Sequence, residues 1–403
     1  MTSRVDGARV LVYSHDTFGL GHLRRCRAIA HSMVEAYKGL SVLILSGSPI
    51  IGSFDFRARV DFVRVPGVIK LHNGEYTSLG LHIDLEQTLA MRASIIQHTA
   101  SIFAPDIFLV DKEPLGLKGE VRETLAMLKA RGTTCILGLR DVMDEPLLLR
   151  REWERKKVAP ALERLYDEIW VYGLPQIADP LLGIDVSDAV RQKLVYTGYL
   201  PRGVPQSGDL NVPALVKAPY ILVTPGGGGD GATLIDWVLR AYESDRDLPQ
   251  RALMVLGPFM PPTEQRAFQD RIDRLDNLEV LTFDAHVEVL MARASGVVAM
   301  GGYNTFCEIL SLDKPAILVP RSRPRREQLI RATRAQDLGL VRMLDPDACS
   351  SVELMIEALR ALPTQKTPSQ VCVPGLLDGL DKVNRLVGQH LGEAVARPQT
   401  SFA

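Results

Sequence analysis

Residues 9–26 read RVLVYSHDTFGLGHLRRC. Arg9–Ser14 is an apolar run that ends in polar residues, and Gly19 and Gly21 interrupt it. From His22 onward, Leu23, Cys26, Ala30, Met33 and Tyr37 recur every three or four residues. The first pattern is that of a buried strand and the last that of one helix face. A strand, a glycine turn and a helix in direct succession open a βαβ unit, whose next strand runs parallel to the first. Residues 220–232, YILVTPGGGGDGA, repeat the arrangement.

Outward from these two stretches the alternation continues. Ser41–Ser46, Asp106–Asp111, Thr134–Leu139 and Glu168–Tyr172 read as further strands of a first unit. Ala252–Leu256, Leu278–Leu281, Gly296–Ala299 and Ala316–Val319 read as those of a second. The reading is α/β: two doubly wound, Rossmann-like parallel sheets covered on both faces. We expect a first domain over 1–200, a linker over 201–218, a second domain over 219–362 and a tail over 363–403. Pro201, Pro205 and Pro213 suit the linker, since proline removes a donor and fixes φ. Residues 375–391 have helical spacing and could pack on either domain. Open parallel sheets bind ligands at the carboxyl ends of their strands, so two facing sheets place a site in the cleft.

The 403 residues include 47 Lys+Arg and 48 Asp+Glu, a formal charge of −1 that argues against a dedicated nucleic-acid binder. Cys26, Cys135, Cys307, Cys349 and Cys372 are scattered and odd in number, which disfavours a disulfide framework or a zinc site and suits a reducing compartment. The opening residues lack the apolar core of a signal peptide, and no window reaches the ~18 apolar residues of a membrane span. The expectation is a cytoplasmic protein, with peripheral contact at the inner face of a membrane left open.

Four clusters follow strands. Gly19, Gly21 and His22 follow the first; a histidine there suits general-base work, or merely caps a tight turn. Asp111 ends another strand of the same rim, where a carboxylate would orient that imidazole, or be a solvated loop acid. Gly226–Gly231 leads into a helix N-terminus and could cradle a diphosphate. Gly226, Gly228 and Gly231 match GxGxxG, but the next strand ends Val255-Leu256-Gly257-Pro258 without the acid that an NAD site wants. Gly301 and Gly302 open a second such site, followed by Asn304, Thr305 and Glu308. By spacing alone, Thr305-x-x-Glu308 is a capping box in preference to a ligand site. Arg321, Arg323, Arg325, Arg326 and Gln328 crowd a fourth rim, where a solvated basic loop is the simpler reading for most of the arginines.

Residues 297–309, VVAMGGYNTFCEI, followed by KPAILVP at 314–320, resemble the signature of glycosyltransferase family 28, within the GT-B glycosyltransferases. The resemblance implies a nucleotide-sugar domain in the second half. It implies phosphate contact for Gly227, Gly228, Gly229, Gly301 and Gly302, with Asn304 and Thr305 in the same turn. Glu308 would hold the ribose diol, and Arg326 and Gln328 would lie near the donor sugar. Gly19-Leu20-Gly21-His22 is similar to the glycine-rich, His-containing loop of these enzymes. Its continuation through Cys26 also looks like the UDP-sugar hydrolase of pseudaminic acid synthesis.

The expected function is therefore inverting, metal-independent transfer of a sugar from a nucleoside-diphosphate sugar, UDP-linked, to an acceptor hydroxyl. His22 and Asp111 would be the catalytic pair, Gly21 would join the donor site, and no cofactor is needed beyond the co-substrate. The acceptor, whether glycan, lipid-linked or small molecule, is left open. The rivals are a nucleotide-sugar hydrolase of the same fold, a non-catalytic nucleotide-sugar binder and an NAD enzyme.

Overall fold

The computed structural model describes residues 5, 7–15, 21–70, 75–204, 219–226, 230–257, 260–284 and 286–392. Gly19 and Gly227–Gly229 lie outside these residues, so their expected roles stay readings of the sequence.

The first sheet contains β1 (Arg9–Ser14), β2 (Ser41–Ser46), β3 (Val60–Arg64), β6 (Ile107–Asp111), β7 (Thr134–Arg140), β8 (Glu168–Tyr172) and β9 (Leu194–Tyr196). They lie in the order β3-β2-β1-β6-β7-β8-β9, all parallel. Between β3 and β6 in the chain, β4 (Val68–Lys70) and β5 (Tyr76–Ser78) form a separate antiparallel pair. The second sheet contains β10 (Tyr220–Thr224), β11 (Arg251–Val255), β12 (Leu278–Leu281), β13 (Gly296–Ala299), β14 (Ala316–Leu318) and β15 (Arg342–Met343). Its order is β12-β11-β10-β13-β14-β15, again all parallel.

Both faces of the first sheet are covered, as continuous apolar strands require. Val10 and Val12 pack with Leu23, Cys26 and Ile29 on one side. Leu11 and Tyr13 pack with Ile96, Ala100 and Leu125 on the other. Trp153, Trp170 and Trp237 are buried core residues.

The strand orders also explain where chemistry can gather. In each sheet the order reverses once, between β1 and β6 and between β10 and β13. Connections leave in opposite directions at such a point and open a crevice at the carboxyl strand ends. His22, Asp111, Gly226 and Gly301 stand at these two reversals, at or just after the carboxyl ends of β1, β6, β10 and β13.

The halves meet through a continuous core. Tyr199 stacks edge-on against Phe306 at 5.1 Å between ring centres, and the Tyr303 hydroxyl donates to the Tyr172 carbonyl at 3.0 Å. The helix Gly379–Leu391 returns to the first domain: Asn384 Nδ2 donates to Ser32 Oγ at 2.8 Å, and Tyr37 donates to the Asn384 carbonyl at 2.8 Å. Among the described residues no helix is long and apolar enough to cross a membrane.

Candidate active site

His22 is the second residue of the helix Gly21–Ala36. Its Nδ1 lies 2.5 Å from Asp111 Oδ2. An Arg25 terminal nitrogen also lies 2.9 Å from Nδ1. With the shorter contact to the carboxylate, which only accepts, Nδ1 carries the proton, and Nε2, without a partner among the described residues, is the basic nitrogen. Arg25 stands three residues on, one helical turn away. Its Nε and a terminal nitrogen bind the two oxygens of Asp111 at 2.8 and 2.7 Å. This bidentate grip holds the Asp111 carboxyl well below the usual carboxylate range, against the opposing effect of burial.

Burial pulls His22 down to about 4; Asp111 opposes that fall, whereas Arg25 and Lys112 add to it. Asp111 thus both fixes the tautomer and opposes the effect of burial on the imidazole. His15 packs edge-on against His22 at 5.8 Å and is itself held neutral by burial. The loop that leaves β6 is anchored from below. Arg92 grips Glu120 through two nitrogens at 2.6 and 2.7 Å, and the Tyr13 hydroxyl donates to the same carboxylate at 2.6 Å.

Across the cleft, Gly301 has φ +78 and Gly302 caps the helix Tyr303–Ser311. The positive φ is one that glycine adopts without strain. This corrects the capping-box reading. Thr305 is the third helical residue, no side chain caps this helix, and Glu308 lies beyond its first turn. Glu308 is 5% exposed, and burial raises its carboxyl. Its partner comes from the other domain: one Arg24 nitrogen lies 3.1 Å from both Glu308 Oε1 and Glu288 Oε2.

Gly21 is the point of closest approach. Asn304 Nδ2 donates to the Gly21 carbonyl at 3.3 Å, and a Cβ at Gly21 would sit 3.1 Å from that nitrogen. Thr305 faces the other glycine turn, its Oγ1 being 3.5 Å from where a Cβ on Gly226 would stand.

The fourth rim is more structured than a solvated loop. Arg321 joins Asp230 at 2.7 Å to Glu327 at 2.6 Å, so the acid within the glycine turn is neutralised in place. Gln328 is buried and accepts from the Arg321 amide at 2.9 Å. The Arg326 amide donates to Asp144 of the first domain at 3.2 Å, and its guanidinium lies 3.8 Å from Glu145.

Below the cleft, Arg331 binds both oxygens of Asp141 at 2.7 and 2.6 Å, with both side chains fully buried. Arg331 also donates to the Gly301 carbonyl at 3.0 Å, and the Tyr199 hydroxyl donates to Asp141 at 2.6 Å. The guanidiniums of Arg25 and Arg331 lie 5.5 and 5.6 Å from the Tyr303 ring centre. The sequence reading missed Arg24, Arg25, Asp141 and Arg331. The spacing His22 to Arg25, and an acid directly after β7, are signals that could have drawn attention to two of them.

The structure thus brings together His22 with Asp111, Gly21 with Asn304, and Gly226 with Thr305. Glu308 joins the cleft through Arg24. Arg326 stands on the rim against Asp144 and Glu145. Among the described residues no group of three or more His, Cys, Asp or Glu side chains is arranged to hold a metal ion.

Residues 221–370 match the glycosyltransferase family 28 C-terminal domain. Over 188 residues the chain is 25% identical to the UDP-N-acetylglucosamine–N-acetylmuramyl-(pentapeptide) pyrophosphoryl-undecaprenol N-acetylglucosamine transferase of Leuconostoc mesenteroides. That match takes in 44% of this chain and spans about half of the relative, 49% of its length. Medicago truncatula UGT71G1 complexed with UDP-glucose superposes with a TM-score of 0.65 at 13% identity, over 97% of this chain and 100% of that one. A Listeria monocytogenes chain named as a UDP-N-acetylglucosamine 2-epimerase gives 0.62 at 13% identity, over 98% and 99%.

Two parallel α/β sheets facing across a cleft, with these neighbours, define a GT-B protein. More particularly, the second half of this chain resembles family 28, whose C-terminal domain it matches over residues 221–370.

Proposed function

We propose that the protein is a glycosyltransferase. In this reading it moves a sugar from a nucleoside-diphosphate sugar, UDP-linked, to an acceptor hydroxyl, with inversion and without a metal. The observation that carries it is the oriented His22–Asp111 pair, which faces the Gly301–Glu308 turn across the Gly21–Asn304 contact. His22 Nε2 takes the acceptor proton as the hydroxyl attacks the anomeric carbon. The leaving diphosphate gains negative charge. In this reading the amides of the Gly301–Thr305 turn and the N-terminus of its helix offset that charge, with the Gly227–Gly229 turn as their sequence counterpart.

A thermal-shift panel of UDP, GDP, ADP and TDP with their sugars tests the reading, because a ligand of the native state raises the midpoint by mass action. UDP and its sugars should give the largest shifts, and no shift with any nucleotide would end the proposal. Sugar released from the preferred donor without added acceptor would place the chain among hydrolases instead.

Glu308 is the proposed ribose ligand, and Arg24 now occupies it. Opposite effects follow for the two residues. Glu308→Gln should weaken UDP binding about 10- to 100-fold, since a hydrogen bond to a charged group is lost. Arg24→Ala should leave UDP binding equal or strengthen it up to about fivefold, because a partly exposed ion pair no longer competes. Calorimetric titration of UDP into each variant decides, and equal weakening in both would remove Glu308 from the ribose site.

The pH profile carries a separate expectation. A protonated imidazole has no lone pair to accept with, so kcat/KM should fall as pH drops through the free-enzyme value of His22. That limb should centre near pH 4 and not at the usual ~6.5 of histidine.

A further inference from the structure

Around the crevice of the first domain nearly every charge is matched. Arg25 holds Asp111, and Arg331 holds Asp141. Lys156 lies 2.8 Å from Glu113 and 2.5 Å from Glu152. Arg321 takes Asp230 and Glu327, and Arg325 lies 3.7 Å from Asp144. Two cations are left over. Neither Lys112 nor Arg140 has a side-chain hydrogen bond or ion pair among the described residues, and Arg140 Nε is buried without any partner.

These two side chains start from neighbouring strand ends. Asp111 pairs with Gly138 in the β6–β7 register. Lys112 is the next residue of one strand, and its amide donates to the Gly138 carbonyl at 2.7 Å. Arg140 is the last residue of the other. Adjacent strands lie ~4.8 Å apart, so both cations emerge at the same carboxyl edge as the His22–Asp111 pair.

Burial and the Arg140 charge push the Lys112 ammonium down to about 8, with Arg325 acting in the same sense and Glu113 and Asp111 against it. Arg140 is pushed down to about 10 by burial, then by Arg25 and Arg331, against Glu327 and Asp141. Two desolvated like charges with no carboxylate in direct contact are costly. Such local conflicts collect where a bound molecule supplies the missing group.

We propose that Lys112 and Arg140 form an oxyanion subsite on the first domain that holds a phosphate-type group carried by the acceptor. The guanidinium fork suits two oxygens of one phosphate, and the ammonium adds a point charge. The subsite stands on the geometry alone. Its assignment to the acceptor rests on the sugar-transfer reading and on its side of the cleft. The turns expected to meet the donor diphosphate belong to the second domain, whereas Lys112 and Arg140 share a sheet edge with His22.

The test titrates inorganic phosphate and pyrophosphate into UDP-saturated protein, and also into unliganded protein. Lys112→Met and Arg140→Gln are compared with the parent. Phosphate affinity should fall about 10- to 100-fold in each variant, the scale of one charged hydrogen bond, while UDP affinity stays within about twofold. Unliganded, each variant should melt at or above the parent temperature, since an uncompensated charge has gone. Unchanged phosphate affinity, or variants that melt well below the parent, would overturn the subsite. A parallel loss of UDP affinity would give these cations to the donor and overturn the acceptor assignment. If UDP fails to bind the parent at all, the transfer reading falls, and the unliganded titration still decides the subsite.

Discussion

His22→Ala should lower kcat by about 10²- to 10⁴-fold, the usual contribution of a positioned base. UDP affinity should stay within a few-fold of the parent. The reasoning is geometric. His22 Nδ1 is committed to Asp111, so Nε2 is the nitrogen left to act. Across the cleft, the carboxylate proposed for the ribose, Glu308, touches Arg24 and not His22. Loss of a base that acts only as the acceptor attacks should lower turnover without affecting ground-state nucleotide binding. Steady-state rates with the best donor of the thermal-shift panel, beside UDP titration, provide the measurement. Turnover retained within a few-fold would move the base elsewhere. Joint loss of turnover and UDP affinity would mean that His22 shapes the donor site.

Asp141→Ala should destabilise the protein by about 3–5 kcal/mol, because it strands a buried guanidinium. Asp141 and Arg331 are both fully buried, and among the described residues Asp141 forms an ion pair with no other side chain. The Tyr199 hydroxyl would also lose its acceptor. Denaturant unfolding followed by fluorescence should show the midpoint fall, with most of it recovered in the double variant Asp141→Leu, Arg331→Met. Recovery is expected because an apolar pair replaces the ionic one without leaving a lone charge. A midpoint unchanged in Asp141→Ala would show that water reaches Arg331. The damage should extend beyond stability, since Arg331 also holds the Gly301 carbonyl. The double variant should therefore fold and still bind UDP more weakly than the parent.

The central strands were legible because burial on both faces leaves unbroken apolar runs. Arg9–Ser14, Ser41–Ser46, Glu168–Tyr172, Tyr220–Thr224 and Gly296–Ala299 have the bounds read from sequence. Of the edge strands only Leu278–Leu281 was read with its bounds, and the other three escaped. Val60–Arg64 mixes Asp61 and Arg64 with Val60 and Phe62, and Leu194–Tyr196 and Arg342–Met343 are too short to show a period.

The site divides in the same way. His22, Asp111 and Glu308 could be singled out because each follows a strand or a glycine turn. Arg24 and Arg25 are identical neighbours in sequence, yet they serve different domains. Arg25 turns inward to Asp111, while Arg24 crosses to Glu288 and Glu308. One residue of helical rotation separates those destinations, and it is resolved only once the second domain is in place. The Asp141–Arg331 pair spans 190 positions, a distance over which local pattern carries no information.

The return of the last helix to the first domain makes the chain cross the waist twice. Tyr199 donates its amide to the Leu376 carbonyl at 2.8 Å, and the Gly379 amide donates to the Tyr199 carbonyl at 3.1 Å, so outbound and homebound strands are clasped side by side. Gly198 is pressed so near the Gly375 carbonyl that a Cβ would stand 2.3 Å from it. Two tethers pinned at one spot resist sliding and leave rotation about that spot as the cheaper motion. The cleft should therefore open like a book bound at Gly198 and Gly375. Severing the tail would unbind the volume from its first cover, although the lost residues are numbered after its second.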